Sequence, residues 1–206
     1  MNEAVIVQSP PDARALFLLF HGVGATPQGL VPLGERLARE FPEAAVVSVR
    51  GPDASDLGAG YQWFSVRGVT EENRPQRVAH TIERFVATVR AWQQRTGVGP
   101  GETTLVGFSQ GAILSLAAAQ AVPAPAARVV SLSGRFSELP HQAIEGVRLH
   151  FIHGDADPVI AASHAQQAAR RLQSLGSDVT VDIVAGLGHG INGAVADLLV
   201  QRLNPA

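Results

Sequence analysis

Gly-Phe-Ser-Gln-Gly, residues 107–111, is the stretch of sequence that decides the fold. An apolar stretch of strand type, residues 103–106, comes before it, and an alanine-rich stretch that suits a buried helix, residues 112–119, follows it. A chain that passes from strand to helix through G-x-S-x-G reverses so tightly that side chains at the two glycine positions would collide with their surroundings. The sequence therefore predicts a turn that exposes the Ser109 hydroxyl at the carboxyl end of a strand. The alternative interpretation of Ser109 is an ordinary helix N-cap.

Apolar runs and helical patterns alternate along the rest of the chain. Strands are predicted at residues 4–7, 15–20, 44–49, 103–106, 129–132, 149–152 and 179–184. Helices are predicted from apolar positions at helical spacing within residues 30–41, 78–92, 112–119, 159–175 and 191–199. Such alternation is typical of an α/β fold with a mostly parallel sheet and helices on both faces. Since no repeat or linker interrupts it, we expect one domain over residues 1–206. The strand at 179–184 alternates apolar and polar residues, which places it near the sheet edge.

Composition excludes several classes of function. The 206 residues carry 16 basic and 18 acidic side chains, scattered without a basic run, which argues against nucleic-acid binding. The absence of cysteine excludes disulfides, thiolate metal sites and a cysteine nucleophile. The N-terminal residues lack a signal-peptide pattern, and no apolar stretch is long enough to span a membrane. We expect a cytoplasmic protein, a monomer or homodimer, that needs no metal or cofactor.

One long segment, residues 51–75, shows neither helical nor strand periodicity. Segments of this length without regular structure are usually functional or disordered. It holds the only tyrosine of the chain, Tyr61, followed by Trp63 and Phe64, so disorder is not expected. We hypothesise that Trp63 and Phe64 line a groove for an acyl group beside Ser109. The alternative is that the two rings anchor the segment in the core.

Polar residues follow three of the last four predicted strands at their carboxyl ends, where ligands bind in parallel sheets. The strand before the pentapeptide leads to Ser109, a later one leads to Asp155 and Asp157, and the last leads to His189. A nucleophile, a carboxylate and a histidine in this chain order are typical of an α/β-hydrolase. His189 could accept the Ser109 proton and return it to a leaving group, while a carboxylate fixes the imidazole tautomer. Either aspartate could be the acid, although Asp157 reaches further over the sheet end.

A tetrahedral oxyanion needs preorganised donors, and two backbone amides are candidates. One is the amide of Gln110 at the start of the helix, and the other is that of Val23 in the loop His-Gly-Val-Gly, residues 21–24. His21 and His153 compete with His189 as the base, but His153 would break the chain order, and both are expected in the core. The glycines in the 21–24 loop could also begin a glycine-rich dinucleotide-binding motif. Pro27 stands where that motif needs Gly or Ala, which argues against it.

At this level of detail the chain resembles the phospholipase/carboxylesterase family of small serine esterases, which includes acyl-protein thioesterases and bacterial carboxylesterases. The stretches that match are residues 19–24, 62–64, 107–112, 153–159 and 188–189. The resemblance implies an α/β-hydrolase fold without a large cap domain. It also implies Ser109 as nucleophile, Asp157 as acid, His189 as base, and the Val23 and Gln110 amides as the oxyanion hole.

Two positions depart from the family pattern. Ser65 follows Phe64 where the family has an aspartate, and Ala112 stands where the family has a second glycine.

We expect a serine esterase that acts on small- to medium-chain carboxylic esters through an acyl-enzyme. The alternatives are a thioesterase or lysophospholipase with the same three residues, and a non-catalytic ligand-binding relative.

Overall fold

The computed structural model of this chain describes residues 4–204. The strands are β1 Val5–Gln8, β2 Ala15–Phe20, β3 Ala44–Val49, β4 Asp53–Ala54, β5 Tyr61–Gln62, β6 Thr103–Phe108, β7 Arg128–Leu132, β8 Arg148–Gly154 and β9 Val179–Val184. The helices are α1 Val31–Glu40, α2 Arg74–Thr96, α3 Gln110–Ala118, α4 Ser163–Ser174 and α5 Gly193–Leu203, with short 3₁₀ turns at Pro27–Leu30 and Pro100–Glu102. None of the helices within the described residues is long and apolar enough to cross a membrane.

Seven strands form one sheet in the order β1-β3-β2-β6-β7-β8-β9. Each neighbouring pair is parallel except β1 and β3, which run antiparallel. The predicted α/β fold with a mostly parallel sheet is therefore confirmed, and β9 lies at the sheet edge as its alternating pattern predicts. Because six strands run the same way, their carboxyl ends meet along one rim of the sheet, which we call the C-terminal rim.

Helices cover both faces of this sheet. On β2, Leu16, Leu18 and Phe20 belong to one apolar cluster, which they share with α2, α3 and α4. The alternate residues Phe17 and Leu19 belong to a second cluster, shared with α1 and α5. A strand with apolar side chains on both faces reads as an unbroken apolar run, which explains why β2 and β3 were predictable to the residue.

The segment 51–75 is more ordered than its sequence predicts. It contains the antiparallel pair β4 and β5, and its last two residues already belong to α2. Strands of two residues are too short to show a period, so the pattern could not reveal them. Helix α2 ends at Thr96, and the next residue, Gly97, has a φ of 74°, a left-handed conformation that caps helices.

His150 on β8 is a buried titratable side chain that makes the stability of the fold depend on pH. Its side chain is buried, and its Nδ1 lies 2.7 Å from the Thr180 hydroxyl on β9. Burial, reinforced by the nearby arginine charges, lowers its pKa to about 4. In the unfolded chain the same ring titrates near ~6.5. The stabilisation that comes from keeping this ring neutral is therefore fully present above pH ~6.5 and is lost as the pH falls toward 4.

We expect the free energy of unfolding to fall by about 2 kcal/mol between roughly pH 7.5 and pH 5 because of this group. The variant His150→Gln should lack that part of the decline, because glutamine does not titrate. Urea unfolding of both proteins at the two pH values measures the difference. Equal declines in the two proteins would contradict the prediction.

Candidate active site

The turn at residues 107–111 joins the end of β6 to the start of α3 through a strained serine. Ser109 has φ 52° and ψ −114°, a conformation that L-residues rarely adopt and that costs about 1–3 kcal/mol. A Cβ on Gly111 would lie 2.2 Å from the carbonyl oxygen of Phe20 at the end of β2. A Cβ on Gly107 would lie 2.5 Å from the backbone of Ala112 in α3. A side chain at either flanking position would therefore collide with backbone atoms, as the sequence predicts.

Three side chains from the C-terminal rim meet at this turn. The Ser109 hydroxyl lies 2.9 Å from Nε2 of His189, and Nδ1 of His189 lies 2.7 Å from Oδ2 of Asp157. Because a carboxylate oxygen can only accept, Nδ1 carries the hydrogen and Nε2 is free to accept the serine proton. The structure therefore brings together the three residues that the sequence singles out, in the order hydroxyl, imidazole, carboxylate.

Asp157 is held as an ionised group. Its Oδ1 accepts hydrogen bonds from the amides of Val159 at 2.8 Å and Ile160 at 2.9 Å. Burial of Asp157 by itself favours the neutral acid, but the hydrogen bonds from His189 and from the two amides outweigh it and hold the pKa below its ordinary value. The carboxylate that faces Nδ1–H of His189 is consequently held in its charged form.

Asp155, the other candidate, has a different role. Its side chain lies at the exposed end of β8, and Oδ1 accepts a hydrogen bond from the amide of Gly186 at 2.7 Å. It caps the turn after β9 and takes no part in the contact with His189. The geometry therefore identifies Asp157, and not Asp155, as the carboxylate that contacts His189. The sequence alone leaves this choice open.

A close backbone contact brings the aspartate and histidine loops together. A Cβ on Gly154 would lie 2.1 Å from the carbonyl oxygen of Leu187, and that oxygen accepts the Ala156 amide at 3.0 Å. The His189 ring also packs against Phe108, with 5.0 Å between ring centroids. These contacts hold the imidazole between the serine turn and the carboxylate.

The two amides proposed for an oxyanion hole lie on either side of Ser109. Gln110 begins α3, so its amide is among those that the helix leaves unpaired. Val23 follows Gly22, where a Cβ would lie only 3.1 Å from the Cβ of Ser109. Within residues 4–204, neither amide donates a hydrogen bond to a protein acceptor. Both donors are consequently available to an oxygen bound beside the serine.

The segment 51–64 braces the loop that carries Val23. The amide of Gly24 donates to the carbonyl oxygen of Tyr61 at 2.9 Å, which attaches the loop to β5. The indole Nε1 of Trp63 donates to the carbonyl oxygen of His21 at 2.9 Å. Nε2 of His21 accepts the Gly51 amide at 2.9 Å, and burial lowers the pKa of this ring. His21 is thus a buried structural residue, as the sequence analysis expects.

The side chain of Gln110 connects the same segment to the serine turn. Its Oε1 accepts the Trp63 amide at 2.8 Å, and its Nε2 donates to the carbonyl oxygen of Phe64 at 2.7 Å. The sequence predicts only a backbone role for Gln110, and the contacts of its side chain are not part of that prediction. One feature of the sequence does indicate such contacts. Gln110 begins a helix of buried type, and a buried amide side chain needs both a hydrogen-bond donor and an acceptor as partners.

Trp63 and Phe64 lie in the core. Trp63 is 3% exposed and packs against Phe20 and Phe85, with ring centroids 5.4 Å away in both cases. Phe64 is 6% exposed and belongs to the same apolar cluster. This burial favours the alternative in which the two rings anchor the 51–75 segment, rather than the hypothesis that they line an acyl groove.

Comparison with known proteins identifies a family. The model of the phospholipase/carboxylesterase family matches residues 1–200. Esterase YpfH of Escherichia coli (strain K12) is 49% identical over 203 residues, which cover 98% of this chain and 88% of that protein. Acyl-protein thioesterase 1 of Kluyveromyces lactis is 25% identical over 229 residues, which cover 100% of this chain and 98% of that protein.

Solved structures agree with this result. The crystal structure of esterase PE8 matches with a TM-score of 0.86 and 26% identity, over 98% of this chain and 96% of that one. The carboxylesterase of Bacillus cereus matches with a TM-score of 0.81 over 98% of this chain and 93% of that one. Its identity is 18%, so it supports the fold alone.

The anchoring role of Trp63 leads to a prediction. The variant Trp63→Ala removes a buried indole, so we expect the free energy of unfolding to fall by about 3–5 kcal/mol. We expect kcat to fall as well, because the loop that carries Val23 loses a brace, while the preference among acyl chain lengths stays unchanged. Thermal unfolding and kcat/KM on p-nitrophenyl esters of increasing length measure both effects. A variant with unchanged stability and an altered chain-length preference would restore the acyl-groove hypothesis.

Proposed function

Since this chain belongs to the phospholipase/carboxylesterase family and is a carboxylic ester hydrolase, we propose that it works through an acyl-enzyme on Ser109. The observation that carries the proposal is the continuous contact from the Ser109 hydroxyl through His189 to Asp157, at 2.9 and 2.7 Å. A serine hydroxyl is a weak nucleophile until a base accepts its proton. The adjacent Nε2 supplies that base, and the buried carboxylate stabilises the imidazolium that forms.

Acylation begins when Ser109 Oγ attacks the carbonyl carbon of the ester. Its proton passes to Nε2 of His189 as the new C–O bond forms, and the carbonyl oxygen becomes an oxyanion. The amides of Val23 and Gln110 donate to that oxyanion, and the N-terminal end of α3 favours its negative charge. When the intermediate collapses, the bond to the leaving alcohol breaks and the imidazolium returns the proton to the alcohol oxygen.

Deacylation repeats these steps with water. The imidazole takes a proton from a water molecule as its oxygen attacks the acyl carbon, and the same two amides stabilise the second oxyanion. Collapse breaks the bond to Ser109, which recovers its proton from His189. The products are a carboxylic acid and an alcohol, and no metal or cofactor takes part in any step.

The substrates that we propose are small- to medium-chain carboxylic esters. Ser109 lies at the C-terminal rim, and the elements within residues 4–204 include no large cap domain that would enclose a long ligand. A second candidate is hydrolysis of acyl thioesters, because the relative called acyl-protein thioesterase 1 covers the full length of this chain. The same three residues would serve a thioester or a lysophospholipid, since only the leaving group changes. Membership of this family disfavours the alternative that the chain is a non-catalytic, ligand-binding relative. The cytoplasmic location stays a prediction.

The role of Ser109 can be tested by removing its hydroxyl. We expect Ser109→Ala to lower kcat on p-nitrophenyl butyrate by about 10⁴-fold or more, because the nucleophile is lost while the fold is kept. Butyryl-CoA thioester hydrolysis should fall in parallel, because both reactions use the same acyl-enzyme.

Asp155→Asn is the matched control, since it alters a neighbouring carboxylate that does not contact His189. It should retain most of the wild-type activity, and a thermal unfolding scan should show all proteins folded. Wild-type kcat in Ser109→Ala would refute the acyl-enzyme proposal.

A further inference from the structure

A second histidine lies against the carboxylate of Asp157 and has no part in the mechanism above. His153 stands near the end of β8, four residues before Asp157, and both side chains are 0% exposed. Nε2 of His153 lies 2.7 Å from the carbonyl oxygen of Ile160 and 3.2 Å from Oδ2 of Asp157. Oδ2 is the oxygen that accepts Nδ1–H of His189. The carboxylate therefore lies between two imidazole rings.

The hydrogen of this second ring can be assigned from its partner. A carbonyl oxygen only accepts, so the contact with Ile160 requires a hydrogen on Nε2 of His153. Nδ1 of the same ring is buried and finds no hydrogen-bond partner among the described residues. The ring is thus attached to its surroundings through Nε2 alone, and its N–H group is directed at Ile160 with Asp157 alongside.

The contact with Ile160 closes a small network around the carboxylate. The Ile160 amide donates to Oδ1 of Asp157 at 2.9 Å, while the carbonyl oxygen of the same residue accepts from His153 at 2.7 Å. Ile160, at the end of the turn 157–160, is therefore held twice, through its amide by the carboxylate and through its carbonyl by a side chain from β8. Without the His153 bond, the Ile160 carbonyl loses the one side-chain donor that residues 4–204 offer it.

We propose that His153 is a positioning residue that holds the 157–160 turn and orients the Asp157 carboxylate toward His189. It does so through Nε2–H, which binds the Ile160 carbonyl and presents its positive end to Oδ2. This proposal rests on the proposed function, because it assigns His153 a role through Asp157. His153 is not a catalytic residue, since its side chain is completely buried and its Nε2–H is bound to a backbone carbonyl.

The charged groups around this ring are few among residues 4–204. Asp157 contacts it, His189 binds the same carboxylate oxygen, and His164 at the start of α4 interacts with it electrostatically. Beyond His164 lie Arg135, 3.3 Å from its Nε2, and Glu71, which binds Arg135. None of these groups replaces Nε2–H of His153 as the donor to Ile160.

Two amide variants separate the positioning role from simple core packing. In His153→Gln the amide nitrogen stands as many bonds from the backbone as Nε2 does, so it can donate to the Ile160 carbonyl. In His153→Asn the amide nitrogen falls at the position of Nδ1, which has no hydrogen-bond partner in the part of the chain that the structure describes. Both variants place an amide in the same buried site, so they are matched in polarity.

We expect His153→Asn to lower kcat on p-nitrophenyl butyrate by about 10- to 100-fold, the range seen when supporting hydrogen bonds around a functional site are lost. KM should change little, because the substrate does not touch this ring. The acid limb of the kcat/KM profile should move to higher pH, because a carboxylate that no longer faces the His153 N–H dipole and a fixed Ile160 amide holds the imidazole proton more strongly. His153→Gln should retain activity and a pH profile close to those of the wild type.

Titration of active sites with a fluorophosphonate gives kcat per labelled serine, so a partly misfolded preparation does not distort the comparison. Equal kcat and equal pH profiles in the Asn and Gln variants would overturn the positioning role. If Ser109 of the wild-type protein took no label, the proposed function would fail instead, so the two failures are distinguishable.

Discussion

The close approach of α3 to the end of β2 is the constraint on which the rest of the site depends. Gly111 passes so near the Phe20 carbonyl that a Cβ would lie 2.2 Å from it, and this contact sets where the helix starts. The helix start in turn places the Ser109 hydroxyl above the sheet and leaves the Gln110 amide unpaired beside it. A side chain at residue 111 would push the helix away from β2 and separate the Ser109 hydroxyl from the amide of Val23, the proposed oxyanion donor on the other loop. One backbone contact thus links the packing of the sheet to the chemistry of the turn.

The remaining parts of the site are held by similar backbone contacts and by buried polar groups. Gly154 meets the Leu187 carbonyl and brings the aspartate and histidine loops together, while the Gln110 amide side chain binds the 51–64 segment to the serine turn. A buried carboxylate is costly unless it is hydrogen-bonded, and Asp157 accepts two amides and one imidazole. The charge that the proposed mechanism needs is therefore maintained by the same bonds that fix its position.

Much of this arrangement could be predicted from the sequence, and the limits have physical causes. Strands covered on both faces appear as apolar runs, so β2 and β3 were predicted to the residue. The order of Ser109, Asp157 and His189 along the chain indicated one site at the C-terminal rim. The choice between the two aspartates depends on which turn reaches the histidine, and that is a property of the folded loop.

Interactions between distant segments were the least predictable. The short strands β4 and β5 form because residues 51–64 bind the Val23 loop and the Gln110 side chain, and no local pattern reports such contacts. For the same reason the burial of Trp63 and the attachment of His153 to Ile160 emerge only when the segments are placed together. Local periodicity predicts the secondary-structure elements, whereas hydrogen bonds between distant segments determine which residues support the site around Ser109.

The central claim is that Ser109 is a nucleophile activated by its neighbours, and covalent labelling tests it most directly. Native protein treated with a fluorophosphonate should gain the mass of one adduct, and peptide mapping should place that adduct on Ser109. Protein unfolded in urea before treatment should take no label, because activation needs the contact with His189. An unlabelled native Ser109, or an adduct on another residue, would contradict the account.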